Sequence, residues 1–96
     1  MKAILTMIKQ NGNKTENERL LFDTEKSKEI CEVKNVHGFV VEKIYLSPGG
    51  IIFSKIFSKI TNQEKLKVQD QELAKEYIAE HHPETYIEIF GEVKRA

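Results

Sequence analysis

Several features that would assign a chain to a function class are missing from this sequence of 96 residues. It has a single cysteine, Cys31, and therefore no internal disulfide, which is typical of proteins in a reducing cytosol. Its 15 basic and 15 acidic residues cancel, which argues against a general nucleic-acid coat or a membrane-surface protein. No apolar run approaches the roughly 20 residues of a membrane helix, and the N-terminus lacks signal-peptide features. We therefore expect a soluble cytoplasmic protein without a membrane partner.

The motifs that usually reveal an enzyme or a cofactor-binding protein are also absent. There is no glycine-rich phosphate loop, no CxxC pair and no HExxH. The spacing of His37, His81 and His82 relative to Cys31 matches no standard zinc site. A nucleophilic Cys31 with His37 as its base is a weaker alternative than a small buried residue. We expect no enzyme, no catalytic residues, no bound metal and no cofactor.

The first third of the chain predicts short strands and one helix. Lys2 to Lys9 is rich in Ile, Leu and Met and predicts a strand, whereas the polar segment Gln10 to Glu18 predicts a turn or loop. Arg19 to Phe22 could form a short second strand. An Asp-Thr pair follows, and it is suited to cap a short helix over Glu25 to Cys31, in which acids stand early.

The stretch IIFSKIFSKI, which contains a tandem FSKI repeat, is compatible with either a helix or a strand. As a helix it would carry one apolar stripe, and periodicity alone favours that interpretation. Context favours a strand from Ile51 to about Phe57, because a Pro-Gly-Gly turn joins it to the well-defined strand pattern of His37 to Ser47. We therefore predict a hairpin, and we attribute the repeat to core packing rather than to a linear motif.

The register of that hairpin is left open by the sequence. A two-residue loop would pair Glu42 with Lys55, which are favourable partners, but Pro-Gly fits such turns poorly. A three-residue loop with a left-handed Gly50 fits the turn chemistry but sets Lys43 opposite Lys55. One residue of slip exchanges the two faces of a strand.

Two short helices are predicted at the C-terminus. Asp70 is a good N-cap, Pro83 suits the first position of a second helix, and Gly91 is a typical stop signal. The apolar residues expected to face inward are Leu73, Ala74, Tyr77 and Ile78 in the first helix and Tyr86, Ile87, Ile89 and Phe90 in the second.

Charge is distributed unevenly although the total is zero. Between Asp70 and Glu92 there are seven acids and a single lysine, Lys75, with a glutamate every four residues. Like charges at this spacing cost a few tenths of a kcal/mol each, so a chain selected only for stability would more often intersperse lysines. The alternative is an ordinary solvated helix face. The candidate partner-binding residues are Glu72, Glu76, Glu80, Glu84 and Glu88, and the candidate nucleic-acid-binding residues are Lys55, Lys59, Lys65 and Lys67.

Three stretches, LLFDTEKSKEI, KIYLSPGGIIF and DQELAKEYIAEHHPETYIEIFGEV, occur in an order that resembles a loose family of small, mostly uncharacterised bacterial proteins carried by phages and other mobile elements. The shared features are an aromatic-Asp-Thr-Glu helix start, a Tyr-x-Ser-x-x-Gly hairpin and a Glu-rich helix ending in Phe-Gly-Glu. The resemblance spans residues 20 to 93, and the FSKIFSKI segment departs from it. It brings no catalytic residues, so it implies a non-enzymatic protein of a mobile element.

The predicted fold is a single α+β domain over residues 1–96, with a small antiparallel sheet of three to four strands, one short helix and two C-terminal helices packed on one face. The predicted function is a protein-binding module whose acidic helical face contacts a partner protein with a basic surface. In its sharpest form, the module would inhibit a host defence nuclease, as an anti-CRISPR-like protein does. The alternative is a small regulator that binds nucleic acid through its lysine-rich segment, residues 55–67.

Overall fold

The computed structural model describes every residue from Met1 to Ala96 and confirms the α+β class. A two-stranded hairpin, a four-stranded antiparallel sheet whose strands neighbour each other in chain order, and two helices make up the chain. Neither helix has the length and apolar character that a membrane crossing requires. The elements are β1 (Lys2–Asn11), β2 (Lys14–Asp23), β3 (Lys28–Lys34), β4 (Val40–Leu46), β5 (Ile52–Ser58), β6 (Gln63–Val68), α1 (Gln71–His81) and α2 (Pro83–Phe90).

The N-terminal hairpin is longer than the sequence predicts. The expected loop over Gln10 to Glu18 is wrong, because only Gly12 and Asn13 form the turn and the strands pair on both sides of it. Gly12 has a φ of 65°, and a left-handed glycine at the first central position is what a type II′ hairpin turn requires. The residues on either side of the turn are polar, so the sequence shows no alternation of apolar residues there. They nevertheless pair as strands.

The predicted helix over Glu25 to Cys31 is also wrong. The capping expectation itself is confirmed, since the Asp23 side chain accepts a hydrogen bond from the Glu25 amide at 3.0 Å. However, it caps only one 3-10 turn, Thr24–Lys26, after which the chain enters β3. A register shift between Glu29 and Cys31 lets Ile30 and Cys31 both be buried, which a regular strand would not allow.

The second hairpin, β4 to β5, confirms the strand prediction for the FSKI repeat. The register is the one in which Lys43 lies opposite Lys55. Gly50 is left-handed with a φ of 82°, and its amide donates to the Ser47 carbonyl at 2.9 Å. Ser47 therefore closes a three-residue loop, in agreement with the turn chemistry rather than with the charge pairing.

The two C-terminal helices begin and end where the sequence predicts. The Asp70 carboxylate accepts a hydrogen bond from the Leu73 amide at 3.0 Å, and Gly91 ends α2 with a φ of 92°. Two inward assignments are wrong: Leu73 is 64% exposed and Ile87 is 45% exposed. Both lie at the edges of the apolar stripe, where a helix that packs on a flat sheet leaves side chains in solvent.

The central four-stranded sheet is covered on both faces, so the molecule has three layers. Both helices pack on one face, which we call the helix face. Ala74 and Ile78 of α1 belong to the same buried cluster as Ile30, Ile44 and Ile52, and α2 packs against this cluster through Tyr86, Ile89 and Phe90. The N-terminal hairpin packs on the opposite face, which we call the hairpin face, and its core residues are Phe22, Tyr45, Phe53 and Leu66. The sequence predicts the helix layer but does not predict that the first hairpin forms a separate sheet.

Candidate binding surface

The candidate acidic residues all lie on the outer surface of the helix layer. We call Glu72, Glu76 and Glu80 of α1 and Glu84 and Glu88 of α2 the acidic row, and every one of them is exposed. On α1 the three acids are four residues apart, so successive members differ by only about 40° around the helix axis. Their mean direction is opposite to that of Ala74 and Ile78. The apolar contacts of Ala74 and Ile78 with the sheet therefore direct these carboxylates toward solvent.

Little within the molecule neutralises the acidic row. Only Glu88 forms an ion pair, with the Nζ of Lys28 at 3.0 Å, and both side chains are largely exposed. The remaining four acids have no basic group within ion-pair distance. Lys75 is the one lysine on α1, and its Nζ lies over the Phe90 ring, 5.5 Å from the centroid, on another side of the helix. The row is thus a band of mostly uncompensated negative charge.

A cleft opens beside the acidic row, between α1 and the helix face of the sheet. Its volume is about 250 Å³, and most of its lining is apolar. Leu73 stands at its rim, which explains why this predicted core residue is exposed. At 100° per residue, Glu76 and Glu80 lie within about 60° of Leu73 around the helix axis. The lining residues are Val33, Glu42, Ile44, Gln69, Leu73, Ala74 and Tyr77.

A polar cluster reaches into this cleft from the sheet. The Ser54 hydroxyl, which is fully buried, donates to Oε2 of Glu42 at 2.9 Å. The side-chain Nε2 of Gln69 donates to the Ser54 hydroxyl at 2.8 Å and to the same Glu42 oxygen at 3.3 Å. Oε1 of Glu42 accepts no hydrogen bond from the protein, and no cation pairs with the carboxylate.

Glu42, Ser54 and Gln69 are residues that the sequence analysis does not identify as a site. A signal for two of them exists, because each stands between two apolar residues on the inward side of its strand. Glu42 is two residues from Ile44 in β4, and Ser54 lies between Ile52 and Ile56 in β5. Polar residues in an apolar alternation need hydrogen-bond partners, and such positions are worth testing as sites.

Gln71 fixes the start of α1 to the sheet. Its Oε1 accepts a hydrogen bond from the Ile52 amide at 2.8 Å, and its Nε2 donates to the Ile52 carbonyl at 2.9 Å. The side-chain amide thus pairs with a strand backbone as a further strand would. This double contact sets the position of Leu73 and Ala74 above the cleft.

The residues considered for metal binding or nucleophilic chemistry do not come together. Cys31 is buried, and burial raises the pKa of its thiol to about 11, with smaller contributions from the Glu42 and Glu29 carboxylates. Its thiol is therefore protonated at neutral pH, and a thiolate is the form that acts as a nucleophile. His37 lies in an exposed turn after β3, whereas the His81 ring contacts Tyr77 at a centroid distance of 4.4 Å. No group of three or more His, Cys, Asp or Glu side chains is arranged to hold a metal ion.

The candidate nucleic-acid-binding lysines are divided between the two faces of the sheet. Lys55 lies on the hairpin face, half-buried, with its Nζ 3.8 Å from Glu64. Lys65 and Lys67 lie on the helix face of β6, opposite Ile56 and Ser54. Lys59 is in the following turn, where its Nζ lies 4.0 Å from the centroid of the Phe39 ring. The fold therefore leaves the candidate acids exposed on the two helices and divides the candidate lysines between the two faces of the sheet.

No protein-family model matches the chain, and neither a curated protein nor a solved structure is significantly similar to it.

Proposed function

We propose that this chain is a non-enzymatic protein-binding module that uses the acidic row to dock on a basic surface of a partner protein. The observation that carries the proposal is that Glu72, Glu76, Glu80 and Glu84 are all exposed on the two C-terminal helices and none of them forms an ion pair. Uncompensated like charges raise the free energy of the free protein, and a basic partner would relieve that cost.

The partner that fits this surface is a protein with a nucleic-acid-binding site. Carboxylates that follow a helix at regular intervals could occupy positions where a basic groove otherwise holds phosphates. The sharpest form of the proposal is an inhibitor, carried by a phage or mobile element, that blocks the nucleic-acid site of a host defence nuclease. The resemblance to mobile-element proteins supports this form, and the charge of the acidic row supports the general one.

The test compares three proteins as baits in a bacterial lysate at low and at high salt. The first is the wild type, and the second carries Glu76→Lys, Glu80→Lys and Glu84→Lys. The third is a matched control with the same charge change elsewhere, Glu16→Lys, Glu25→Lys and Glu32→Lys, all at exposed positions outside the acidic row. Circular dichroism and thermal unfolding establish that all three fold.

We expect one protein to be retained by the wild type and the control but lost with the acidic-row variant. Its retention should weaken at high salt, because exposed charges are screened. For the inhibitor form, added duplex DNA or RNA should compete with the bait. If the acidic-row variant folds and retains the partner with unchanged salt dependence, the proposal fails and the lysine-rich segment becomes the better candidate.

A further inference from the structure

We infer that the cleft between α1 and the sheet is a recognition pocket for one basic side chain, a lysine or an arginine, of the partner protein. This inference deepens the proposed function and rests on it, because the acidic row is what brings a basic surface to the cleft. It adds a specific contact: the alkyl part of the basic side chain enters the cleft, and its cationic group reaches the free Oε1 of Glu42.

The first support is the chemical asymmetry of Glu42. Both of its hydrogen bonds within the protein end on Oε2, which accepts from Ser54 and from Gln69. These neutral donors orient the carboxylate but do not cancel its charge. Oε1 remains without a protein donor on a carboxylate that lines the cleft. A carboxylate held in this way is prepared to accept a charge-assisted hydrogen bond, which is about twice as strong as a neutral one.

The second support is the character of the walls. Val33, Ile44 and Leu73 are aliphatic, and the Tyr77 ring forms another side. Lysine and arginine side chains carry a long apolar stem and a charged end, so they bury the stem against such walls while the charge meets a carboxylate. An acidic ligand would meet Glu42 and the acidic row with the wrong sign. A purely apolar ligand would leave Glu42 without a partner.

The lysines on the helix face of the sheet do not occupy this role. Lys34 follows Val33, the β3 residue that pairs with Glu42, but its ammonium group forms no ion pair. Lys65 and Lys67 lie on the same face of the sheet, but they belong to β6, which is two strands away from Glu42. Neither ammonium group pairs with the Glu42 carboxylate, and it is the neutral Gln69 amide that reaches it. The cationic position at Oε1 is therefore left for a ligand.

The test is a titration of the isotope-labelled full chain with three small probes, followed by amide chemical shifts. The probes are n-butylammonium for a lysine, n-butylguanidinium for an arginine, and n-butanol as the neutral control. The informative amides are those of Ile44, Ala74 and Tyr77, which surround the cleft. The comparison of the two cations decides which basic side chain fits better.

The expected result is saturable shifts at these amides with at least one cation and weaker binding of n-butanol. Glu42→Gln keeps an acceptor for Ser54 and Gln69 but removes the charge, so the cation Kd should rise about tenfold. The matched control Glu32→Gln changes a carboxylate on the hairpin face of β3 and should leave the Kd unchanged. Leu73→Ser, at an exposed rim position, should also weaken binding and does not depend on how Glu42→Gln folds.

Two outcomes would overturn the inference: n-butanol that binds as tightly as the cations, or a folded Glu42→Gln variant with unchanged cation Kd. These outcomes are separable from failure of the proposed function. If the acidic-row variant loses the partner while Glu42→Gln retains it fully, the row is the docking surface and the cleft is not. If the cations bind through Glu42 but the acidic-row variant keeps the partner, the cleft stands and the acidic row does not.

Discussion

The two faces of the central sheet are packed by different means. On the hairpin face, aromatic rings fill the interior: Phe53 lies 5.0 Å from Phe22 and 5.4 Å from Tyr45 between ring centroids. On the helix face, the buried residues are aliphatic apart from Cys31, and the aromatic side chains that pack against them are only partly buried. The side chains of Glu42 and Ser54 lie beside this core, next to a cleft of about 250 Å³.

This difference separates stability from recognition. Close-packed aromatic side chains increase the buried apolar area and the number of van der Waals contacts. A cleft and half-buried polar groups reduce both quantities. The face that holds the Glu42 cluster is also the one that carries the acidic row on its helix layer. We therefore expect substitutions on the hairpin face to act mainly on folding, and those around the cleft to act on binding with a smaller effect on folding.

The largest effect is expected from Phe53→Ala. Phe53 is fully buried and contacts rings from both the sheet and the hairpin, so its removal should cost about 3–5 kcal/mol of unfolding free energy. Urea unfolding followed by circular dichroism measures it.

Phe39→Ala is the matched control. Phe39 is 56% exposed, and its ring lies at the surface beneath the ammonium group of Lys59. Its removal should cost less than about 1 kcal/mol. Equal costs for the two substitutions would contradict the contribution of the buried aromatic cluster to stability.

A smaller effect is expected from Gln71→Ala at the boundary between sheet and helices. The substitution removes the hydrogen-bond acceptor of the Ile52 backbone N–H. The Ile52 carbonyl keeps a 3.3 Å hydrogen bond from the backbone N–H of Gln69. One unsatisfied buried donor should cost about 1–3 kcal/mol. Hydrogen exchange should also become faster at the Ile52 amide in particular. Gln63→Ala, at the exposed start of β6, is the control, and equal exchange in both variants would argue against the role of Gln71.

Local chemistry explains which parts of this fold can be predicted from the sequence. The Pro48-Gly49-Gly50 turn and the Asp70 cap depend on neighbours within a few residues, and both are where the sequence indicates them. Strand β3 depends on β4 for its hydrogen bonds and on a bulge for the burial of Ile30. Because those causes are remote from the segment itself, its local pattern, in which acids stand early, predicts a helix instead.

The candidate site divides in the same way. Exposure of the acidic row follows from helical periodicity and is predictable. The cleft cluster joins Glu42 with Gln69, 27 positions apart, and depends on the β4–β5 register that the sequence leaves open. The pairing of opposite charges favours the other register. The observed register is the one that places Gly50 in the left-handed conformation, because the backbone geometry of the turn contributes more to the choice than a half-exposed ion pair does. A site that depends on register cannot be derived from a pattern that does not specify it.

The smallest effect is expected from the thiol on the helix face. Burial raises the pKa of Cys31 from 9.0 to about 11, so the unfolded chain loses this proton at lower pH than the folded one. The stabilising contribution of the neutral thiol is therefore complete below about pH 9 and is lost as the pH rises toward about 11. Between pH 9 and pH 10, this thiol should lower the unfolding free energy by about 1 kcal/mol.

Cys31→Ser isolates that contribution, because a hydroxyl does not titrate in this range. At neutral pH the substitution should cost about 1 kcal/mol at most, since it exchanges one small buried side chain for another. Urea unfolding at a series of pH values should then give a shallower decline for the variant than for the wild type above pH 9. Tyr45 and Tyr77 also have raised pKa values, chiefly through burial, and both tyrosines are present in each protein. Because Cys31 also raises the pKa of Tyr77, the difference between the two curves reports the thiol together with its effect on that phenol. Parallel curves would mean that Cys31 is accessible to water, and the helix face would then be more open than its 8% exposed cysteine indicates.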